Sequence, residues 1–130
     1  MTNKRHEDVL ARDMDWIDSG QGAQFVQFSL DDTDAASAPQ VVIARFDPDE
    51  SVIPHTHRCN YLEYIVSGSQ KVGKTWFEAG DVRRVTANTG YGPILIGPAG
   101  CTVLIVFQEG GKSAPIPLGR AAAMAQAAPA

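Results

Sequence analysis

The stretch Pro54-His55-Thr56-His57-Arg58-Cys59-Asn60-Tyr61-Leu62-Glu63-Tyr64-Ile65-Val66-Ser67-Gly68 decides how this chain is read. His55 and His57 stand one residue apart, and on a strand of period two both imidazoles leave the same face. That is how a strand offers two nitrogens to one metal ion. Further along, Glu63 sits in the apolar run Leu62 to Val66, which has the character of a buried strand. A carboxylate there needs a cation, a hydrogen-bond partner or a metal to offset its desolvation. His55, His57 and Glu63 are therefore the candidate metal ligands.

Outward from this stretch the chain is punctuated every few residues by turn signals. Gln40 to Phe46 is apolar and β-branched and predicts a strand buried on both faces, turned by Asp47-Pro48-Asp49-Glu50-Ser51. Beyond Gly68, Gly73-Lys74 joins Ser69–Val72 to Thr75–Glu78 as a hairpin, and Gly80-Asp81 turns the chain into a strand over Val82 to Thr86. Asn88-Thr89-Gly90 is a further turn. Ile94-Leu95-Ile96 reads as a short strand stopped by Gly97-Pro98-Ala99-Gly100, and Cys101 to Phe107 as the last strand. Towards the N-terminus, Gln21 to Leu30 alternates as a half-buried strand and Asp31 to Pro39 is a loop. Met14-Asp15-Trp16-Ile17 is the apolar anchor of a polar arm in which His6 is solvated. Many short strands separated by Gly and Pro turns predict an all-β sandwich or barrel. The organisation expected is one domain: an arm and first strand over 1–39, a barrel core over 40–109, and a tail over 110–130. The tail is expected to be extended, with one fraying helix near Arg120 to Ala128 and no chemistry.

These residues resemble the cupin superfamily, small β-barrels of jelly-roll type. Pro54-His55-Thr56-His57, Glu63 and Gly68 are similar to its first motif, and Gly80-Asp81-Val82-Arg83-Arg84-Val85-Thr86-Ala87-Asn88-Thr89-Gly90-Tyr91 follows the frame of its second. The resemblance covers about residues 40 to 109 and implies an all-β, cupin-type double-stranded β-helix. It also implies a divalent transition metal (Fe, Zn, Ni or Mn) and a small-molecule ligand. The chain departs from the pattern twice. Tyr91 stands where the family closes its second motif with a histidine, and the spacing back from Gly68 lands the family's glutamate on Tyr61, with Glu63 one strand repeat further along.

Composition narrows the function classes. The chain has 130 residues, 44% of them hydrophobic and 20% charged, which suits one globular domain. A formal charge of −4 supplies no basic footprint, so nucleic acid is not an expected partner. No apolar run has the length of a membrane span and Met1 to Asp8 lacks the apolar segment of a secretory signal, so a cytoplasmic protein is expected. Cys59 and Cys101 are then expected as free thiols. Open sheet edges in jelly rolls are usually covered, and the Trp16-Ile17 arm predicts a homodimer.

Two readings exist for Tyr91: a phenol filling the space of a lost ligand, or a catalytic acid and hydrogen-bond donor facing the cavity, and the second is preferred here. Tyr61 could act similarly, and Arg45 on its strand could receive an anionic substrate group through its fork of donors. Of Arg83 and Arg84, at most one faces inward. Three functions fit. One is a small metal-binding cupin, in its most concrete form a non-haem dioxygenase acting on a diketone or phenolic compound. The second is a metal-poor cupin that binds a small ligand or isomerises one with Tyr91 as acid; the third is a zinc-binding sensor domain, similar to the cupin part of anti-sigma factors.

Overall fold

Residues 6–119 of the computed structural model are described here. Where the sequence alternates β-branched or aromatic residues between turns, strands form: β1 (Ile17–Asp18), β2 (Ala23–Ser29), β3 (Gln40–Phe46), β4 (Ser51–Val52) and β5 (His55–Thr56). They are followed by β6 (Tyr61–Val72), β7 (Thr75–Glu78), β8 (Val82–Val85), β9 (Ile94–Phe107) and β10 (Ile116–Pro117). The main sheet runs β1-β2-β3-β9-β6-β7, with β4 pairing β9 and β8 pairing β6, while β5 and β10 form a separate pair. Every pairing is antiparallel.

The inner faces of β3, β6 and β9 make the core. Ile65 lies opposite Val103, and Val103 opposite Ala44; Ile65 and Val103 are wholly excluded from solvent. Each of these two side chains contributes about 1.5–3 kcal/mol by burial. Ile94, Ile96 and Cys101 complete this cluster, and a second one forms from Cys59, Tyr61, Val85 and Phe107. Both cysteines are free and buried, as expected of them.

Three elements differ from the sequence reading. Ile94–Ile96 and Cys101–Phe107 are one strand, because Gly97–Gly100 bends β9 without ending it. The matching distortion in β6 is a pair of register shifts, between Ile65 and Ser67 and between Gly68 and Gln70. At that place the two backbones nearly touch: a Cβ on Gly68, which has φ +75°, would collide with the Gly100 carbonyl oxygen. Gly68→Ala is accordingly expected to cost about 1–3 kcal/mol through strain at positive φ and displacement of the Gly100 strand. A urea midpoint within error of the parent's would show that the barrel relaxes there freely.

β3 is not buried on both faces. Ala44 points into the core, whereas Val41 and Ile43 are half-buried on the outside and Arg45 is exposed. The arm also does something more local than anticipated: Ile17 pairs with Phe25, so β1 covers the open edge of β2 in the same chain. The tail beyond Lys112 returns to the barrel, with Ile116 opposite Thr56 and Pro117 opposite His55. The helix expected near Arg120 to Ala128 lies outside the described residues.

Candidate functional site

The two histidines enter the barrel through different local devices. His55 lies in β5 and exchanges both backbone hydrogen bonds with Tyr91, an isolated antiparallel bridge that makes the two residues a directly opposed pair. Directly opposed residues share a face, so the bridge aims the phenol of Tyr91 at the imidazole of His55. The Tyr91 hydroxyl donates to His55 Nε2 at 3.2 Å, while His55 Nδ1–H donates to the Ile53 carbonyl at 2.8 Å. His57 follows β5, and its Nδ1–H donates to the Ser113 carbonyl at 2.7 Å. Each ring is thus fixed with its proton on Nδ1, leaving Nε2 as the acceptor.

Tyr61, the first residue of β6, completes the group. Its hydroxyl is hydrogen-bonded to that of Tyr91, and its ring packs edge-on against His57, centroids 4.9 Å apart. His55 and His57 are themselves in edge contact at 5.0 Å between centroids. Four of the side chains singled out from the sequence, His55, His57, Tyr61 and Tyr91, therefore meet. They line one cavity of about 820 Å³, whose other walls include Phe46, Val52, Ile53, Ile94 and Ile105.

Burial in these walls sets the charge states. It disfavours the imidazolium form, holding His55 below its usual value and His57 down to about 4. It pushes both phenols up, Tyr91 and still more Tyr61, which also feels its phenolic neighbour. All four groups are neutral at pH 7.

Glu63 faces inward, but it does not join the histidines. Its partner in the β6–β8 register is Arg83, whose Nε donates to Glu63 Oε1 at 3.0 Å, and Gln70 Nε2 donates to the same oxygen at 2.6 Å. Only 9% of the Arg83 side chain and 6% of that of Glu63 are exposed, so the charges balance each other inside the protein. The expected face of His55, His57 and Glu63 is not formed: among the described residues no group of three His, Cys, Asp or Glu side chains is arranged to hold a metal. The two imidazoles do suit a metal, since a ligating histidine characteristically has its other nitrogen tied to a carbonyl. The carboxylate does not.

Arg45 is a second correction. It lies on the outer face of β3, where its guanidinium stacks on Trp16 of the arm, 3.5 Å from the ring centroid, and it has no part in the cavity. The period of two decides this, since Ala44 takes the inward position and Arg45 must turn out. Two further contributors were left unassigned by the sequence. Arg83 is the inward member of its pair, its guanidinium 4.7 Å from the centroid of the Tyr91 ring, and Arg84 is exposed. The tail, assigned no chemistry, supplies the acceptor for His57 at Ser113 and two cavity walls, Pro115 and Pro117.

A jelly-roll barrel of antiparallel strands with this inward polar cluster has the fold of the RmlC-like cupins. The polyketide cyclase RemF of Streptomyces resistomycificus superposes with a TM-score of 0.69 at 20% identity, over 95% of this chain and 94% of that one. KdgF of a Halomonas species gives 0.65 at 19% identity, covering 80% of this chain and 94% of its own. An RmlC-like cupin of Shewanella frigidimarina gives 0.66 at 19% identity, covering 78% and 89%. No family model matches the chain, and no curated protein matches it.

Proposed function

We propose that the cavity binds a small organic molecule carrying a carbonyl or phenolic oxygen, and moves a proton within it. The observation that carries this reading is one neutral imidazole set beside two neutral phenols in a mostly apolar cavity. His57 Nδ1 is committed to Ser113, and among the described residues its Nε2 has no partner. It is the natural proton acceptor. The phenols of Tyr61 and Tyr91 remain protonated; Tyr91 keeps its proton on His55, and Tyr61 would turn its own from the Tyr91 oxygen to the ligand oxygen as that oxygen gains charge. In a diketone, the proton would leave carbon for His57 Nε2, the electron pair would pass to oxygen, and the hydrogen-bonded phenols would stabilise the resulting enolate. Return of the same proton to the enolate oxygen completes a keto–enol isomerisation with no oxidant or reductant needed. A cavity of this volume falls within the roughly 300–1,000 Å³ of small-molecule sites.

Benzoylacetone tests this, because its enol absorbs in the near ultraviolet and its keto–enol exchange can be followed directly. The protein should speed exchange over buffer, and His57→Gln should remove about a hundredfold of that acceleration, a size ordinary for one positioned base. Equal rates in parent and variant would end the assignment.

The orientation of both Nδ1 atoms towards carbonyls favours a second reading, in which His55 and His57 hold a divalent transition metal. Such an ion would supply Lewis-acid polarisation of a bound oxygen, or the oxygen chemistry of a dioxygenase acting on a diketone or phenol. With Glu63 tied to Arg83, this chain's share of the ligands would be the two imidazoles, and binding should be weak. Titration of Zn(II) into the parent and into the His55→Ala/His57→Ala variant distinguishes the readings. Loss of a one-to-one site in the variant supports the metal, and identical isotherms exclude it at these residues. Tyr91→Phe should leave any such affinity within about threefold, since a neutral phenol is a poor ligand.

A further inference from the structure

The walls of the cavity are not electrically balanced. The imidazoles and phenols are neutral, and the charge of Glu63 is met by Arg83, which stands behind it and does not line the cavity. One more carboxylate does line it: Glu50, the residue before β4, at the part of the wall formed by Gly20, Gln21 and Gly22. The loop presses on this side chain closely. A Cβ on Gly22 would meet the end of the Glu50 side chain, and the φ of +77° at Gly22 is one that glycine adopts without strain. The backbone of Glu50 is itself held, its carbonyl accepting from Ile96 N at 2.8 Å. Among the described residues no Lys, Arg or His forms an ion pair with it.

We propose that Glu50 is a charge-selecting residue for the cavity, so that the ligand taken up there is neutral or carries an ammonium group, and carboxylates are refused. This rests on the reading of the cavity as a ligand site. The physical reason is that an anion entering would meet the Glu50 carboxylate, which has no ion-pair partner among the described residues, and Glu63, whose carboxylate already takes up the charge of Arg83, the guanidinium nearest the cluster. A protonated amine would find the one charged partner the wall offers, in surroundings where the attraction is less screened than in bulk water. Charge selection of this kind works as much by repelling wrong ligands as by attracting right ones.

Three phenols of nearly the same shape separate the charges: 4-ethylphenol is neutral, tyramine carries an ammonium and 4-hydroxyphenylacetate a carboxylate. Calorimetric titration at pH 7 and low salt should show tyramine binding about tenfold tighter than 4-ethylphenol and 4-hydroxyphenylacetate at least about tenfold weaker. In Glu50→Gln the three affinities should fall within about threefold of one another, with that of 4-ethylphenol unchanged. A variant that keeps the parent's spread overturns the role of Glu50, as does a parent that binds 4-hydroxyphenylacetate as well as 4-ethylphenol. Absence of binding by all three to the parent overturns the ligand-site reading itself, and charge selection with it. Matching thermal midpoints of parent and Glu50→Gln keep folding out of the comparison.

Discussion

Arg83→Met is expected to lower the stability of the protein by about 3–5 kcal/mol, the range seen when one member of a buried ion pair is removed and the other is left charged. Glu63 would remain almost wholly enclosed with Gln70 as its sole hydrogen-bond donor. The guanidinium is also stacked over the Tyr91 ring, so its loss removes a contact from the polar cluster. The double variant Glu63→Gln/Arg83→Met should recover most of the loss, because the amide at position 63 needs no counter-charge and can still accept from Gln70. Urea unfolding of parent, single and double variants decides the matter. A single-variant loss below about 1 kcal/mol would mean that the pair behaves like one at the surface.

Acid should destabilise the metal-free protein over a window set by His57. Its folded-state value is held down to about 4 from 6.5, chiefly by burial. The unfolded chain therefore takes up a proton on this ring as the pH falls through 6.5, while the folded chain does so only near 4. Stability tied to the neutral ring is complete above pH 6.5, declines as the pH falls, and is fully lost below about 4. The whole displacement corresponds to about 3 kcal/mol; water entering the cavity screens part of it, so about 2 kcal/mol is expected. His55, lowered for the same reason, adds to the slope in the same direction. Unfolding midpoints measured with chelator present between pH 7.5 and 4 should show this decline, and His57→Gln should flatten it by roughly half. A parent with a level profile over that window would mean that the ring is solvated in the folded state.

The strands were legible from sequence because their boundaries are chemical: Gly73-Lys74, Gly80-Asp81 and Asn88-Thr89-Gly90 all turn the chain where expected. Which side chains face inward was legible only as far as strict alternation holds. Tyr61, Glu63 and Ile65 obey it along β6, and then the register shift between Ile65 and Ser67 reverses the parity, so that Gln70 points in and is 1% exposed. Extrapolation from Ile65 would have turned it out to solvent. The bond between Glu63 and Arg83 depends on the register of β6 against β8, a fact of pairing that neither strand carries alone. Arg83 and Arg84 were equivalent in sequence for that reason. His55 and Tyr91 could be associated through their motif positions, but their mutual aim comes from a single bridge. For Ser113 no signal existed, since its contribution to His57 is a backbone carbonyl and any residue there has one.

The Ser113 carbonyl has a consequence for the order in which the protein becomes competent. Synthesis runs from the N-terminus, and all the side chains of the polar cluster, His55 to Tyr91, are made well before it. A nascent chain of the first 109 residues holds the paired strands of the main sheet and every imidazole and phenol of the cavity, yet nothing fixes which nitrogen of His57 bears the proton. That choice waits until β10 docks beside β5 and brings Ser113 into place. A segment made after every side chain of the cluster is thus the one that sets the base, and a change near Ser113 would reach the chemistry without touching any of the residues that perform it.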